Sequence, residues 1–190
     1  MPEPPHNWPK NIHYTTTCSF HSSVPQSIRQ KITEGSAAKT ATINPPNGPS
    51  PADKSVVAIR RISESTHPAC GQLGLFAARK IKEKTVIVDY IGEIHCDERP
   101  ESDYDLSLFR SSDLSVGIDA NKQGNEGRFV NDYRGIPGQE KPNAVFVDER
   151  LASGELRMRI VSSRIITKGE EILVSYGKAW WQARTTSTSN

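Results

Sequence analysis

From residue 56 onward the apolar residues come in short β-branched runs, each cut off by glycine, proline, asparagine or aspartate. That punctuation leaves room for little besides short strands. Val56, Val57, Ile59 and Ile62 open the series, and a turn over residues 68–74 leads to Leu75-Phe76-Ala77-Ala78. Val86-Ile87-Val88-Asp89-Tyr90-Ile91 is a β-branched run closed by Gly92. Residues 104–109 alternate polar and apolar, and Val116-Gly117-Ile118-Asp119-Ala120 reads as another strand. Residues 143–148 and 157–162 read as a pair of strands around the turn Ala152-Ser153-Gly154, and residues 171–175 as a last strand. Helical periodicity is sparse. The expectation is therefore one mostly β domain over residues 55–182, made of several short sheets with few short helices.

The flanks have a different texture. Residues 1–54 carry Pro2, Pro4, Pro5, Pro9, Pro25, Pro45, Pro46, Pro49 and Pro51 among serines and threonines. Such a composition buries too little apolar surface to offset the entropy of ordering, so a flexible N-terminal tail is expected. One amphipathic piece, residues 28–32, is able to form a helical turn, and Trp8, Tyr14 and Phe20 are available to dock. Residues 183–190 are expected to be a disordered C-terminal tail.

Charge and cysteine content exclude several classes. The formal net charge is +2, with five Lys/Arg and three Asp/Glu before residue 55 and 19 of each after it. A neutral domain of this kind does not mark a nucleic-acid binder, so no direct nucleic-acid partner is expected. No apolar run reaches the ~18 residues of a membrane span, and no secretory leader pattern opens the chain. Cys18, Cys70 and Cys96 are an odd, widely spaced set. They form neither a disulfide framework nor a zinc site, and free thiols with no bound metal are expected.

Four segments in order resemble the SET-domain protein lysine methyltransferase family. The first is Gly71-Gln72-Leu73-Gly74-Leu75-Phe76-Ala77, similar to the family's glycine turn. The second is Asp89-Tyr90-Ile91-Gly92-Glu93. The third is Gly124-Asn125-Glu126-Gly127-Arg128-Phe129-Val130-Asn131-Asp132, followed later by Pro142-Asn143. The fourth is Lys168-Gly169-Glu170-Glu171-Ile172-Leu173-Val174-Ser175-Tyr176-Gly177. Each segment alone is a common turn or strand end. Their order and spacing carry the resemblance, which covers about two-thirds of the chain.

The resemblance implies a SET (β-clip) fold, in which the third segment forms a loop that the C-terminal segment passes through in a pseudoknot-like thread. It also implies methyl transfer from S-adenosyl-L-methionine to a lysine on a protein or peptide, with histone tails the family's commonest substrates. A nuclear location follows from the resemblance alone, with the cytoplasm as the alternative. Tyr176 is the implied catalytic residue, its hydroxyl pointing at the transferring methyl. Gln72, Leu73, Gly74, Tyr104, Arg128, Asn131, Asp132 and Trp181 are the implied cofactor-binding residues. Tyr104, Phe129 and Trp180 are candidates for an aromatic substrate channel, which would accept a lysine stem and tolerate a cationic product. Arg128 is expected to pair with a carboxylate behind the site, and Glu170 and Glu171 are read as a turn and a solvated face.

The chain also departs from the family pattern. Gln72 stands where the family has its first glycine, and Asp132-Tyr133-Arg134 replaces His-Ser-Cys. An acidic residue near the adenine edge is expected to weaken cofactor binding. The longer link between Asn131 and Pro142 implies a loop insertion through residues 135–141. No cysteine follows Gly177, so Trp180 and Trp181, or a partner, are expected to cover the site in place of a zinc-binding segment. These departures motivate an alternative, a SET-like interaction module without catalysis. Retention of Asn131 and Tyr176 argues for the enzyme.

Overall fold

A computed structural model describes residues 2–34, 56–111, 113–177 and 180–181 of the 190-residue chain. The first elements are β1 (His13–Tyr14), β2 (Ser19–Phe20) and α1 (Gln26–Thr33). Then come β3 (Val57–Arg61), β4 (Leu73–Ala77), β5 (Val86–Asp89), β6 (Glu93–His95), β7 (Asp105–Arg110) and β8 (Ser115–Asp119). After β9 (Gln123–Gly124), a 3₁₀ turn (Glu126–Phe129) and β10 (Asn131–Asp132), the chain finishes with β11 (Ala144–Arg150), β12 (Leu156–Ser162) and β13 (Leu173–Val174).

Short strands make small sheets. β3 and β4 form an antiparallel hairpin, β11-β12-β5 a three-stranded sheet, and β2-β6-β8-β7 a four-stranded one. The expected strand pair falls at β11 and β12, and Gly154 takes the left-handed φ of +91° that its turn requires. Side chains alternate sides along each strand, so Ile59, Leu75, Ile87, Ile118 and Ile160 all point into one core cluster. Cross-strand charge ties the surface. Asp89 accepts from Arg157 at 2.6 Å and from Arg159 at 3.1 Å.

The mostly β, multi-sheet architecture agrees with the sequence. The N-terminal reading needs correction, because residues 2–34 are folded onto the domain. β1 runs parallel to β9 and β2 parallel to β6, each closing a sheet edge that the later strands leave open. Val24 and Ile32 of this segment are buried, and Trp8 packs edge-on against both Tyr14 and Phe129 at 5.0 and 5.4 Å. The helical turn foreseen at residues 28–32 is realised inside α1. Two-residue strands paired across about a hundred residues leave no local periodicity, so composition alone reads as unpacked. Residues 35–55 and 183–190, the rest of the expected tails, lie outside the described residues.

The C-terminal crossing is present as the family resemblance implied. β13 pairs parallel with β10, through Asn131 opposite Leu173 and Asp132 opposite Val174. On its other flank the fully buried Asn143 donates its amide N–H to the Leu173 carbonyl at 3.1 Å. Asn143 Oδ1 accepts from Leu173 N at 2.8 Å, and Nδ2 donates to the Glu171 carbonyl at 2.7 Å. β13 therefore runs between β10 and residue 143, held on both sides by the loop that joins them. A buried amide that satisfies its neighbours' backbone is a strong constraint, since leaving those groups unpaired costs about 1–3 kcal/mol each.

Candidate active site

Crossing the two segments places residue 131 beside residue 176, and two cavities meet there. The larger is an open cleft of about 570 Å³. The smaller holds about 50 Å³ and is a narrow channel walled by Tyr90, Tyr104, Phe146 and Tyr176, with the charged Asp103, Asp105 and Arg128 also in its lining. Tyr104, Arg128, Tyr176 and Trp180 line both.

Tyr176 sits at that junction. Its hydroxyl donates to the Val130 carbonyl at 2.7 Å, which leaves the oxygen lone pairs for whatever enters. Burial, reinforced by the neighbouring Asp132 carboxylate, pushes its pKa well above the usual tyrosine value, so it acts as a neutral hydroxyl. Tyr90 is fixed in the same way. Its hydroxyl donates to the Tyr104 carbonyl at 2.7 Å, and its ring meets Phe146 edge-on at 5.7 Å.

The cleft wall is polar. Asn131 Nδ2 donates to Glu171 Oε1 at 2.8 Å, and Glu171 Oε2 lies 3.1 Å from His67 Nε2. Glu171 is thus a half-buried partner of Asn131, not the solvated face that was expected. The bond to Glu171 fixes which way the Asn131 amide is turned, with Nδ2 on the Glu171 side and Oδ1 away from it. Asp132 is 7% exposed, and its charge is compensated. It accepts from Arg134 Nη1 and Arg134 N at 2.8 Å each, from Tyr176 N at 2.7 Å and from Trp181 Nε1 at 3.3 Å. The acidic replacement anchors the C-terminal segment, and its carboxylate is already filled with donors.

The other implied residues divide. Gln72 and Leu73 line the cleft, but the Gln72 carbonyl already accepts from Ile62 N at 2.8 Å, so its side chain is what it can present. Gly74 stands behind the wall. A β-carbon there would lie 2.7 Å from Glu171 Oε1, so this glycine makes room for Glu171. Arg128 is buried and, among the described residues, makes no ion-pair contact with a carboxylate, although the Asp119 charge acts on it from further off. It donates to the Ala120 carbonyl at 2.9 Å, and its guanidinium lies 4.0 Å from the Tyr104 ring centroid. Burial lowers its pKa, and the ring face offsets part of that cost. Phe129 lines the wide cleft beneath Trp8 and does not reach the channel. Trp180 meets Tyr176 edge-on at 4.8 Å, and Trp181 lies at the rim with 36% exposure.

Tyr90, Val130 and Phe146 of the channel, and His67, Pro9, Asn11 and Ile12 of the cleft, were not foreseen as site residues. Only Tyr90 carried a local signal, through its place in Asp89-Tyr90-Ile91-Gly92-Glu93. Among the described residues no cluster of three or more His, Cys, Asp or Glu is placed to hold a metal, and the three cysteines are free. No helix among them is long and apolar enough to cross a membrane.

A threaded crossing of short sheets with a tyrosine between a wide cleft and an aromatic channel defines a class. The SET domain pattern matches residues 72–177, more than half of the chain, and the chain belongs to the SET domain family. It is 37% identical over 112 residues to a histone-lysine N-methyltransferase, H3 lysine-36 specific, of Candida albicans, a match covering 54% of this chain and 12% of that protein. It is 32% identical over 108 residues to the histone-lysine N-methyltransferase ATXR6 of Arabidopsis thaliana, over 53% of this chain and 31% of that one. The chain thus spans less than a third of either relative. Among solved structures, ATXR5 in complex with a mono-methylated histone H3.1 superposes with a TM-score of 0.62 at 21% identity, covering 88% of this chain and 82% of that one. That likeness speaks for the fold.

Proposed function

We propose that this chain is an S-adenosyl-L-methionine-dependent protein-lysine N-methyltransferase, and that histone tails are the substrate class to try first. The observation that carries the reading is the meeting of a wide polar cleft and a narrow aromatic channel at the Tyr176 hydroxyl. The residues fit the cofactor. The cleft is large enough for a small ligand of this size, its Asn131 amide offers an acceptor, and the charge of Asp132 is neutralised by its own donors.

When bound, S-adenosyl-L-methionine supplies a methyl group on a sulfonium, whose carbon is electrophilic. The chain's own groups bind and align. Tyr90, Tyr104 and Phe146 wall a channel whose rings would pack on the aliphatic stem of a lysine. A protonated lysine has no lone pair, and desolvation between aromatic rings lowers its pKa from the free value of about 10.4. The Tyr176 hydroxyl is held by its bond to the Val130 carbonyl, and its oxygen would accept from the groups brought together between the two cavities. Weak C–H···O contacts there contribute about 0.5–1 kcal/mol each, and alignment contributes more. A nuclear location accompanies a histone substrate in this reading.

Calorimetric titration of S-adenosylhomocysteine into the purified chain and into Asn131→Ala tests the proposal. Binding by the parent and weakening in the variant are expected, followed by transfer to histone peptides that Tyr176→Phe abolishes. A folded parent that binds no cofactor product overturns the enzyme reading and favours the interaction module.

A further inference from the structure

The His67 side chain is buried, lies outside the family segments and borders the cleft. Its two ring nitrogens are both engaged. Ala69 N donates to Nδ1 at 2.9 Å, so Nδ1 must be the acceptor. The ring proton therefore sits on Nε2, which faces Glu171 Oε2 at 3.1 Å. Glu171 is then a carboxylate with one oxygen filled by His67 and the other by Asn131 Nδ2 at 2.8 Å. Every donor in this relay has one acceptor, and the last member is an amide at the cleft wall.

We infer that His67 is a positioning residue that sets the orientation of the Asn131 amide through Glu171, so that the cleft presents an oxygen to an ammonium group. The inference rests on the proposed cofactor reading and deepens it. An amide free to flip presents either an NH₂ or an oxygen, and only the oxygen attracts a cationic amine. Glu171 accepts and cannot donate, so it enforces Nδ2 on its own side. His67 holds Glu171 in place by donating to the other oxygen. Gly74 completes the arrangement, because only a missing β-carbon lets Glu171 Oε1 come this close to β4. A half-buried carboxylate stripped of the His67 donor turns to solvent or to another donor, and Asn131 loses its reference. The selectivity concerns the amino group alone.

The test compares S-adenosylhomocysteine with its analogue lacking the α-amino group, by calorimetry, against the parent, His67→Leu and His67→Gln. His67→Leu is expected to weaken S-adenosylhomocysteine binding on the order of tenfold, the loss of one charge-assisted hydrogen bond. It should leave the deaminated analogue unchanged, and His67→Gln, which keeps a donor, should restore much of the difference. Equal weakening of both ligands makes His67 merely structural and overturns the inference, as does no change in either. Nitrogen-15 NMR of the histidine rings in the ligand-free parent supplies an arm that needs neither ligand nor variant. A proton on Nε2 of His67 is expected, and a proton on Nδ1 overturns the relay. If the parent binds neither ligand while the Nε2 tautomer is observed, the cofactor reading falls and with it the ammonium assignment, leaving only the relay geometry.

Discussion

The cleft and the channel share a border yet are held in opposite ways. The cleft wall at Asn131 is a chain of hydrogen bonds, from Ala69 through His67 and Glu171, with each polar atom oriented by the next. The channel is held by packing, with Tyr90 edge-on to Phe146 and Tyr104 under the Arg128 guanidinium. A polar wall can read which way a ligand's donors point. An aromatic wall reads width and keeps water out. The proposed reaction needs both, because its two reactants differ in kind, and Tyr176 is among the residues that border each side.

Breaking the border should cost most. Tyr176→Phe is expected to lower kcat roughly hundredfold or more with little change in cofactor affinity, the scale of losing one preorganised polar group. Single-turnover methylation beside calorimetry checks the split. Next comes the polar wall. Asn131→Ala should weaken cofactor binding roughly tenfold or more, with the maximal rate at saturating cofactor less affected. The aromatic wall should answer more mildly. Phe146→Ala removes one edge contact worth about 1 kcal/mol, and the KM for a peptide substrate should rise about fivefold while the cofactor affinity stays put. If Phe146→Ala moved cofactor affinity instead, the division of labour between the two regions would be wrong.

The smallest expected effect is in the pH profile. Burial first, and the Asp132 charge next, raise the Tyr176 pKa, so its ionised form is disfavoured and the neutral hydroxyl persists beyond the usual tyrosine range. The rate should climb with pH as the substrate lysine, free pKa about 10.4, loses its proton. No falling limb from Tyr176 is expected below about pH 10. A profile of kcat/KM from neutral to pH 10 would show a downturn if the hydroxyl ionised early.

Much of this was legible in the sequence, because it is local. Short β-branched runs ended by turn residues mark strands, and β3, β4, β5, β7, β8, β11, β12 and β13 fall at those runs, whereas β6, β9 and β10 were not foreseen. Asn131 and Tyr176 were legible through the ordered motifs around them. Phe129 lines the wider cleft, which motif context did not reveal, because it shows that an aromatic is near a site without showing which cavity it borders. Asp132 draws its charge partner, Arg134, from two residues away, but its other donors, Tyr176 N and Trp181 Nε1, come from more than forty residues further along the chain and left no local signal. Residues 2–34 looked unpacked for a related reason, since their strands are two residues long and borrow partners from distant edges.

The sequence by itself determined the short β elements, the ordered segments that mark a SET domain, and the candidate tyrosine and asparagine. Only the tertiary structure decided that the N-terminal segment belongs to the fold, that Glu171 faces inward, and that His67 stands behind it. Local patterns record which face of a strand is buried. Partnerships spanning 40 residues, as for Asn131 and Glu171, or 104, as for His67 and Glu171, arise only when β13 passes through its loop and buried polar atoms must find partners.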